Sequence, residues 1–284
     1  MISTAFEYQR ATSVDEAIQK LQAAGGRAKL VAGGHSLVPL MKLRLSEPSV
    51  LIDIARIAGL AGIREAGGQI EIGAATVHTD VAASPLLRDQ CPMIADAAGE
   101  IGDPQVRNRG TLGGSLAHSD PSADYPAVML ALDATILLKG PNGGRTVQAG
   151  AFFQDLFTVD LAPDEIIIGV RFAPIKSAAY AKLHQRASHY AIVGVAAALD
   201  VKGGVMQSAR IGITGAGSHA TRLANVEQAL AGKPLSADTL EAAGALAGAG
   251  MADVNSDIHA SEEYRRAMIQ VFTRRALKAA MARA

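Results

Sequence analysis

Tryptophan is absent from this chain, cysteine occurs once, and aromatic residues make up only 4% of it. The lone Cys91 excludes an internal disulfide, and it excludes a chain-borne iron–sulfur cluster, which takes about four Cys ligands. One thiol suits a reducing compartment, and Cys91, just before Pro92, reads as a small core residue. An excess of either charge is missing too. The 27 Lys and Arg balance the 27 Asp and Glu, so nothing speaks for nucleic acid or an anionic membrane surface. No apolar run approaches the roughly 18 residues of a spanning helix. The first residues, Met1-Ile2-Ser3-Thr4-Ala5-Phe6-Glu7, lack a basic stretch followed by an apolar one. The expectation is a soluble, cytoplasmic protein. His, Asp and Glu do not cluster at metal-site spacing. Neither a Rossmann G-x-G-x-x-G nor a Walker A sequence occurs.

What is present is a 284-residue chain with 49% hydrophobic residues, enough for one or two domains around a real core. Two glycine-bearing segments stand out: Ala32-Gly33-Gly34-His35-Ser36 and Thr111-Leu112-Gly113-Gly114-Ser115. Glycine lets the main chain approach a ligand closely and adopt φ > 0. Successive exposed amides form a nest that binds phosphate. Either Gly-Gly alone is as readily a turn. Two of them in one domain suggest a single ligand with a long phosphate-bearing body, a dinucleotide.

Periodicity places these segments. Ser13 and Glu16 have capping-box spacing before a helix at 14–21, which Gly25-Gly26 ends. A strand at 28–31 runs into the first glycine loop and a short helix at 37–43 follows, an arrangement suited to phosphate. Strands are expected at 50–54, 69–73 and 166–172, with helices at 86–99 and 125–132. A hairpin is expected about Pro141-Asn142-Gly143-Gly144. Residues 101–124, dense in Gly, Asp, Ser and Pro, read as one long functional loop. After a linker at 174–178, strands at 180–186, 192–201 and 205–214 form an antiparallel meander that turns at Lys202-Gly203-Gly204. Helices at 224–230, 237–249 and 262–282 close the chain, the last capped by Ser261. The class is α+β.

Single residues stay open at this level. His35 is a base, a loop-orienting residue or a contact for ligand oxygens. His118 and Asp120 are neighbours in sequence, which is not triad geometry. Asp124 is a helix cap or an acceptor for ligand hydroxyls. Tyr190 is an ordinary aromatic at a strand start or a ring against a planar cofactor. His184 and His189, flanking Arg186, read as surface.

The chain resembles the FAD-binding medium subunits of the molybdenum hydroxylases, the group that includes the flavin subunits of carbon monoxide and xanthine dehydrogenases. The resemblance is carried by residues 32–42, by residues 102–117 (Gly102-Asp103-Pro104-Gln105 through Gly113-Gly114-Ser115-Leu116-Ala117), by 120–124, by 183–190 and by Glu263-Tyr264-Arg265-Arg266. It implies a two-part FAD-binding domain of the vanillyl-alcohol-oxidase type at 1–175, with parts at about 1–55 and 56–175. It implies a C-terminal domain at 179–284 with a three-stranded antiparallel sheet and a helix bundle. It implies that Ala32, Gly33, Gly34, His35, Ser36 and the adjoining Leu37, together with Thr111, Gly113, Gly114 and Ser115, hold the FAD pyrophosphate. Asp124 then contacts the ribityl chain, Tyr190 lies over the isoalloxazine and Lys182 is a further flavin contact. The [2Fe-2S] clusters and the molybdopterin cofactor are expected on a small and a large partner subunit, in a dimer of heterotrimers that makes peripheral contact with an electron acceptor. Electrons would pass from the clusters through FAD, with no catalytic acid or base and no metal on this chain. A stand-alone flavoprotein oxidase of the same fold, or a scaffold without flavin, is the alternative.

Overall fold

The computed structural model describes residues 2–284. Ser13 caps the Val14–Ala24 helix by accepting from the Glu16 N–H at 3.1 Å, while the Glu16 carboxylate reaches back to Thr12 rather than to Ser13. Gly25, at φ 56°, ends the helix in the left-handed region that favours glycine. Its buried stripe, Ala17, Ile18, Leu21 and Ala24, leads the chain into a three-stranded parallel sheet. There Val50–Asp53 lies between Glu7–Arg10 and Ala28–Val31.

A second sheet of five antiparallel strands runs in the order Ile63–Ala66, Gln69–Gly73, Ile166–Phe172, Thr135–Gly140, Gly143–Gln148. The third sheet is the expected meander, Ala178–His184, Ala191–Lys202 and Val205–Thr214, extended by a two-residue fourth strand, Thr221–Arg222. Its Gly203-Gly204 turn has both φ angles positive, as a tight hairpin needs.

This third sheet is buried on both faces. Ala178, Tyr180, Ala196 and Ala198 join the core beneath the other two sheets. Ala179, Val193, Val195, Ala197 and Leu199 face the C-terminal helices. The alternation follows from the two-residue period of a strand. The small alanine face lets the Asp124–Leu132 helix, buried along its whole length, lie against the sheet. Contact is so close that a Cβ on Gly212 would overlap the Ala127 carbonyl oxygen. The start of this central helix carries Asp124.

Several elements depart from the expectation. The helix expected at 86–99 is two helices, Pro85–Gln90 and Pro92–Gly99, broken at Cys91. Pro92 has no N–H to continue the first helix and pushes its predecessor out of the α region. The supposed loop at 101–124 contains two short helices, Pro104–Arg107 and Leu112–His118. The second glycine pair is therefore the first turn of a helix capped by Thr111, not a loop. The helix at 237–249 stops at Gly244. Cys91 is fully buried and burial pushes its thiol up to about 12, which makes it inert core.

Candidate functional site

Between the sheets lies one large cleft of about 1380 Å³. That exceeds the range of an ordinary small-ligand pocket and suits a long ligand. The Val31 strand end and the Leu37–Lys42 helix deliver the first glycine segment to one wall. The Leu112–His118 helix delivers the second. Of the thirteen residues expected to hold a cofactor, twelve line the cleft: Ala32, Gly33, Gly34, His35, Ser36, Leu37, Thr111, Gly113, Gly114, Ser115, Asp124 and Tyr190. Lys182 does not; it lies behind Asp124.

The first glycine segment packs on the two residues that lead into the second. A Cβ on Gly33 would overlap the Arg109 carbonyl oxygen and stand 2.8 Å from the Gly110 Cα. Gly34, at φ 75°, turns the chain, and His35 Nδ1 lies 2.9 Å from the Gly33 carbonyl oxygen. Backbone N–H groups from Gly33 through Leu37 donate to no protein acceptor among the described residues. Ser36 starts the following helix without a side-chain cap bond, so its hydroxyl is free as well. This is a donor-rich nest of the kind that binds phosphate.

The second segment differs. Leu112 N–H donates to Thr76, Gly113 N–H to Ala74, Ser115 N–H to the Thr111 carbonyl, and Gly114 N–H to the Thr111 hydroxyl. Its amides are spent inside the protein. What it brings to the cleft is a smooth wall and the Ser115 hydroxyl. Lys29 is the one Lys or Arg among the described residues that line the cleft, so amides outnumber cations as anion donors.

Asp124 is 4% exposed. Its Oδ1 accepts from Tyr180 OH at 2.5 Å and from Lys182 Nζ at 2.9 Å, and its Oδ2 from Lys182 at 3.0 Å. Burial pushes its carboxyl up, while Lys182 and Tyr180 both favour the ionised form. Lys182 also donates to the Glu100 carbonyl oxygen at 2.9 Å. A Cβ on Gly194 would overlap the Tyr180 hydroxyl, so this strand glycine makes room for the tyrosine.

Tyr190 is 45% exposed at the cleft. The Gln185 side chain folds its turn by accepting from Ala187 N–H, Ser188 N–H and the Ser188 hydroxyl. Ala191 N–H donates to Ser122, Gly215 N–H to Pro121, and the Thr214 hydroxyl bonds the Pro121 and Ala123 carbonyls at 2.8 Å each. These bonds lock the third sheet to segment 120–124 and so bring Tyr190 and Asp124 to one cleft.

Three residues given no role by the sequence shape the site. Arg265, 3% exposed, donates to Ile192 and Gly215 carbonyls at 2.7 and 2.8 Å and pairs with Asp257 at 2.5 Å. It fastens the last helix to the strand ends beside Tyr190. His78, buried in the cleft floor, packs edge-on against Tyr125 at 5.3 Å. Tyr180 holds Asp124. The one signal in the sequence was Gly194, a glycine inside a strand.

Among known proteins, the family described as the FAD binding domain in molybdopterin dehydrogenase matches residues 4–174, and the CO dehydrogenase flavoprotein C-terminal domain matches 178–280. The carbon monoxide dehydrogenase medium chain of Hydrogenophaga pseudoflava is 41% identical over 286 residues, covering 100% of this chain and 99% of the relative. Subunit alpha of the 6-hydroxypseudooxynicotine dehydrogenase complex of Paenarthrobacter nicotinovorans is 38% identical over 283 residues, with 98% and 95% covered. The solved structure of carbon monoxide dehydrogenase from Hydrogenophaga pseudoflava lacking the Mo-pyranopterin moiety superimposes with a TM-score of 0.95 at 41% identity, with 100% of each chain covered.

Proposed function

This chain belongs to the family of FAD-binding medium subunits of the molybdenum hydroxylases, and from that premise we propose that the cleft between its sheets is the FAD site. The observation that carries the reading is convergence: two glycine segments and a tyrosine from the far half of the chain line one large cleft whose first wall offers five free amides. That donor set fits a pyrophosphate. The Gly33–Leu37 amides and Ser36 hold the phosphates, Ser115 adds a hydroxyl from the facing wall, and His35 orients its loop through Gly33. Asp124, kept as an acceptor by Lys182 and Tyr180, takes hydrogen bonds from ribityl hydroxyls. Tyr190 covers the flavin ring. Lys182 acts through Asp124 instead of touching the flavin.

Bound FAD supplies an electron carrier between the [2Fe-2S] clusters of a small partner subunit and an external acceptor. The chain's own residues bind, orient and shield that carrier; none acts as acid or base on the substrate, which a large molybdenum subunit oxidises. The complex is a dimer of heterotrimers in the cytoplasm, and the FAD-binding domain ends near 175 with the C-terminal domain starting near 179. Relatives named for carbon monoxide and for 6-hydroxypseudooxynicotine are 41% and 38% identical to this chain. Such similar flavin subunits serving dissimilar substrates fit a subunit that never meets the substrate. The test is Gly114→Val, whose side chain would enter the cleft wall without meeting backbone, with flavin content measured on folded protein. Stoichiometric FAD in that variant would sink the assignment of the cleft.

A further inference from the structure

A strained aromatic, Phe157, stands at the cleft. Strands Phe153–Asp155 and Thr158–Val159 form a small hairpin in which Asp155 pairs with Thr158, leaving Leu156-Phe157 as the turn. Phe157 has φ 50°. A bulky residue there is an outlier in a place that glycine or asparagine fills without strain. The turn does not need the ring: Leu156 N–H donates to Asp155 Oδ1 at 2.7 Å and the Thr158 hydroxyl to the Leu156 carbonyl at 3.0 Å. Phe157 packs against His118, centroids 5.0 Å apart and planes tilted 37°, yet it remains 51% exposed, and both residues line the cleft. Strain kept at a cleft points toward binding.

His118 is suited to back such a ring. Burial lowers its pKa, against the opposing pull of Asp120, so it presents a neutral flat face. Segment 118–122 ties the pair to Tyr190: Asp120 Oδ1 accepts from the Ser122 N–H at 2.8 Å, and the Ser122 carbonyl accepts from the N–H of Ala191, next to Tyr190, at 3.2 Å.

We propose that Phe157, backed by His118, is a binding contact for the planar isoalloxazine ring of the cofactor, a second aromatic beside Tyr190. This rests on the FAD reading of the cleft. The experiment uses the full chain after flavin removal, with FAD, FMN and ADP as probes and with Phe157→Gly and Phe157→Tyr as variants. Phe157→Gly removes the ring and relieves the backbone, so the melting temperature stays within about 2 °C of wild type. Its dissociation constants for FAD and FMN rise by about three- to tenfold, the scale of one lost aromatic contact. ADP binding is unchanged, and Phe157→Tyr retains wild-type affinity. Unchanged FAD and FMN affinity in Phe157→Gly overturns the proposal, as does a loss seen with ADP, or a loss of affinity that only accompanies a drop in melting temperature. A wild-type chain that binds no FAD overturns the FAD reading itself, and this proposal with it.

Discussion

His78 gives the sharpest numerical test of the cleft as built. It is 4% exposed, its Nδ1 has no partner, and its backbone N–H donates to Gly110 at 3.0 Å. Burial holds its pKa down at about 4, with charges on His35 and Arg107 adding to the effect. An unfolded histidine titrates near 6.5, roughly. Between those values the unfolded chain takes up a proton that the folded chain refuses, so stability falls as pH drops from about 6.5 toward 4 and is untouched above that window. At about 1.4 kcal/mol per pKa unit, the full loss is about 3.5 kcal/mol, of which about 2.5 kcal/mol has developed by pH ~4.5. The perturbation is His78→Leu, which keeps the bulk and removes the titration. Urea unfolding of the flavin-free protein at pH ~7 and ~4.5 reads the effect, since ligand binding would otherwise add its own stabilisation. Wild type should lose about 2.5 kcal/mol more than the variant on acidification. Carboxylates titrating in the same range cancel in the difference. Equal pH dependence in the two proteins would refute the claim that the folded cleft keeps His78 neutral.

Two further outcomes test the electrostatics of the site. Lys182→Met leaves the buried Asp124 carboxylate without its cation, and breaking a buried pair in this way costs about 3–5 kcal/mol; adding Asp124→Asn should recover part of it. A loss below about 1 kcal/mol in chemical denaturation would mean that the pair does not hold this part of the fold. Because amides rather than Lys or Arg face the first glycine loop, FAD affinity should change by less than about twofold between ~0.05 and ~0.5 M salt, whereas surface cations would be screened over that range. Flavin fluorescence titration measures it, and a steep salt dependence would reveal a cationic clamp.

Local rules carried the sequence reading far where structure is local. Ser13, Gly25, the Gly203-Gly204 turn and Ser261 sit where capping and turn chemistry put them. Glu7–Arg10 was not readable, because Glu-Tyr-Gln-Arg shows no apolar alternation and gains strand structure only by pairing with Val50–Asp53. Pairing likewise makes a strand of Ile63–Ala66. The helix at 112–118 was hidden by its own glycines, which score as loop residues although Thr111 caps them. Within the cleft, the two glycine segments stood out by their composition, and Tyr190 was singled out through resemblance to a family. The partnership of Asp124 with Tyr180 and Lys182 was not, since those residues lie 56 and 58 positions away and meet only through the register of the third sheet.

The glycines themselves sort into different tasks once each neighbour is known. Gly33 packs on Arg109 and Gly110, Gly110 packs on the His78 ring, and Gly113 packs on Ala74, where a Cβ would stand 2.6 Å from that of Ala74. These are backbone-to-wall contacts that leave no space for a methyl group, and they run in series across the cleft floor. Substitution at any of the three should open the seam and lose flavin through the fold. Gly114 is outside this series: a Cβ there meets only the Thr111 hydroxyl, at 2.8 Å. A side chain at 114 displaces the helix cap and intrudes on the cleft wall while the seam stays shut. The pair of glycine segments that first suggested two phosphate nests is thus one nest, at Gly33 to Leu37, and one joint. The joint packs the nest onto the wall of the cleft that Asp124 and Tyr190 also line, and a cofactor that must reach all three needs that packing more than a second set of amides.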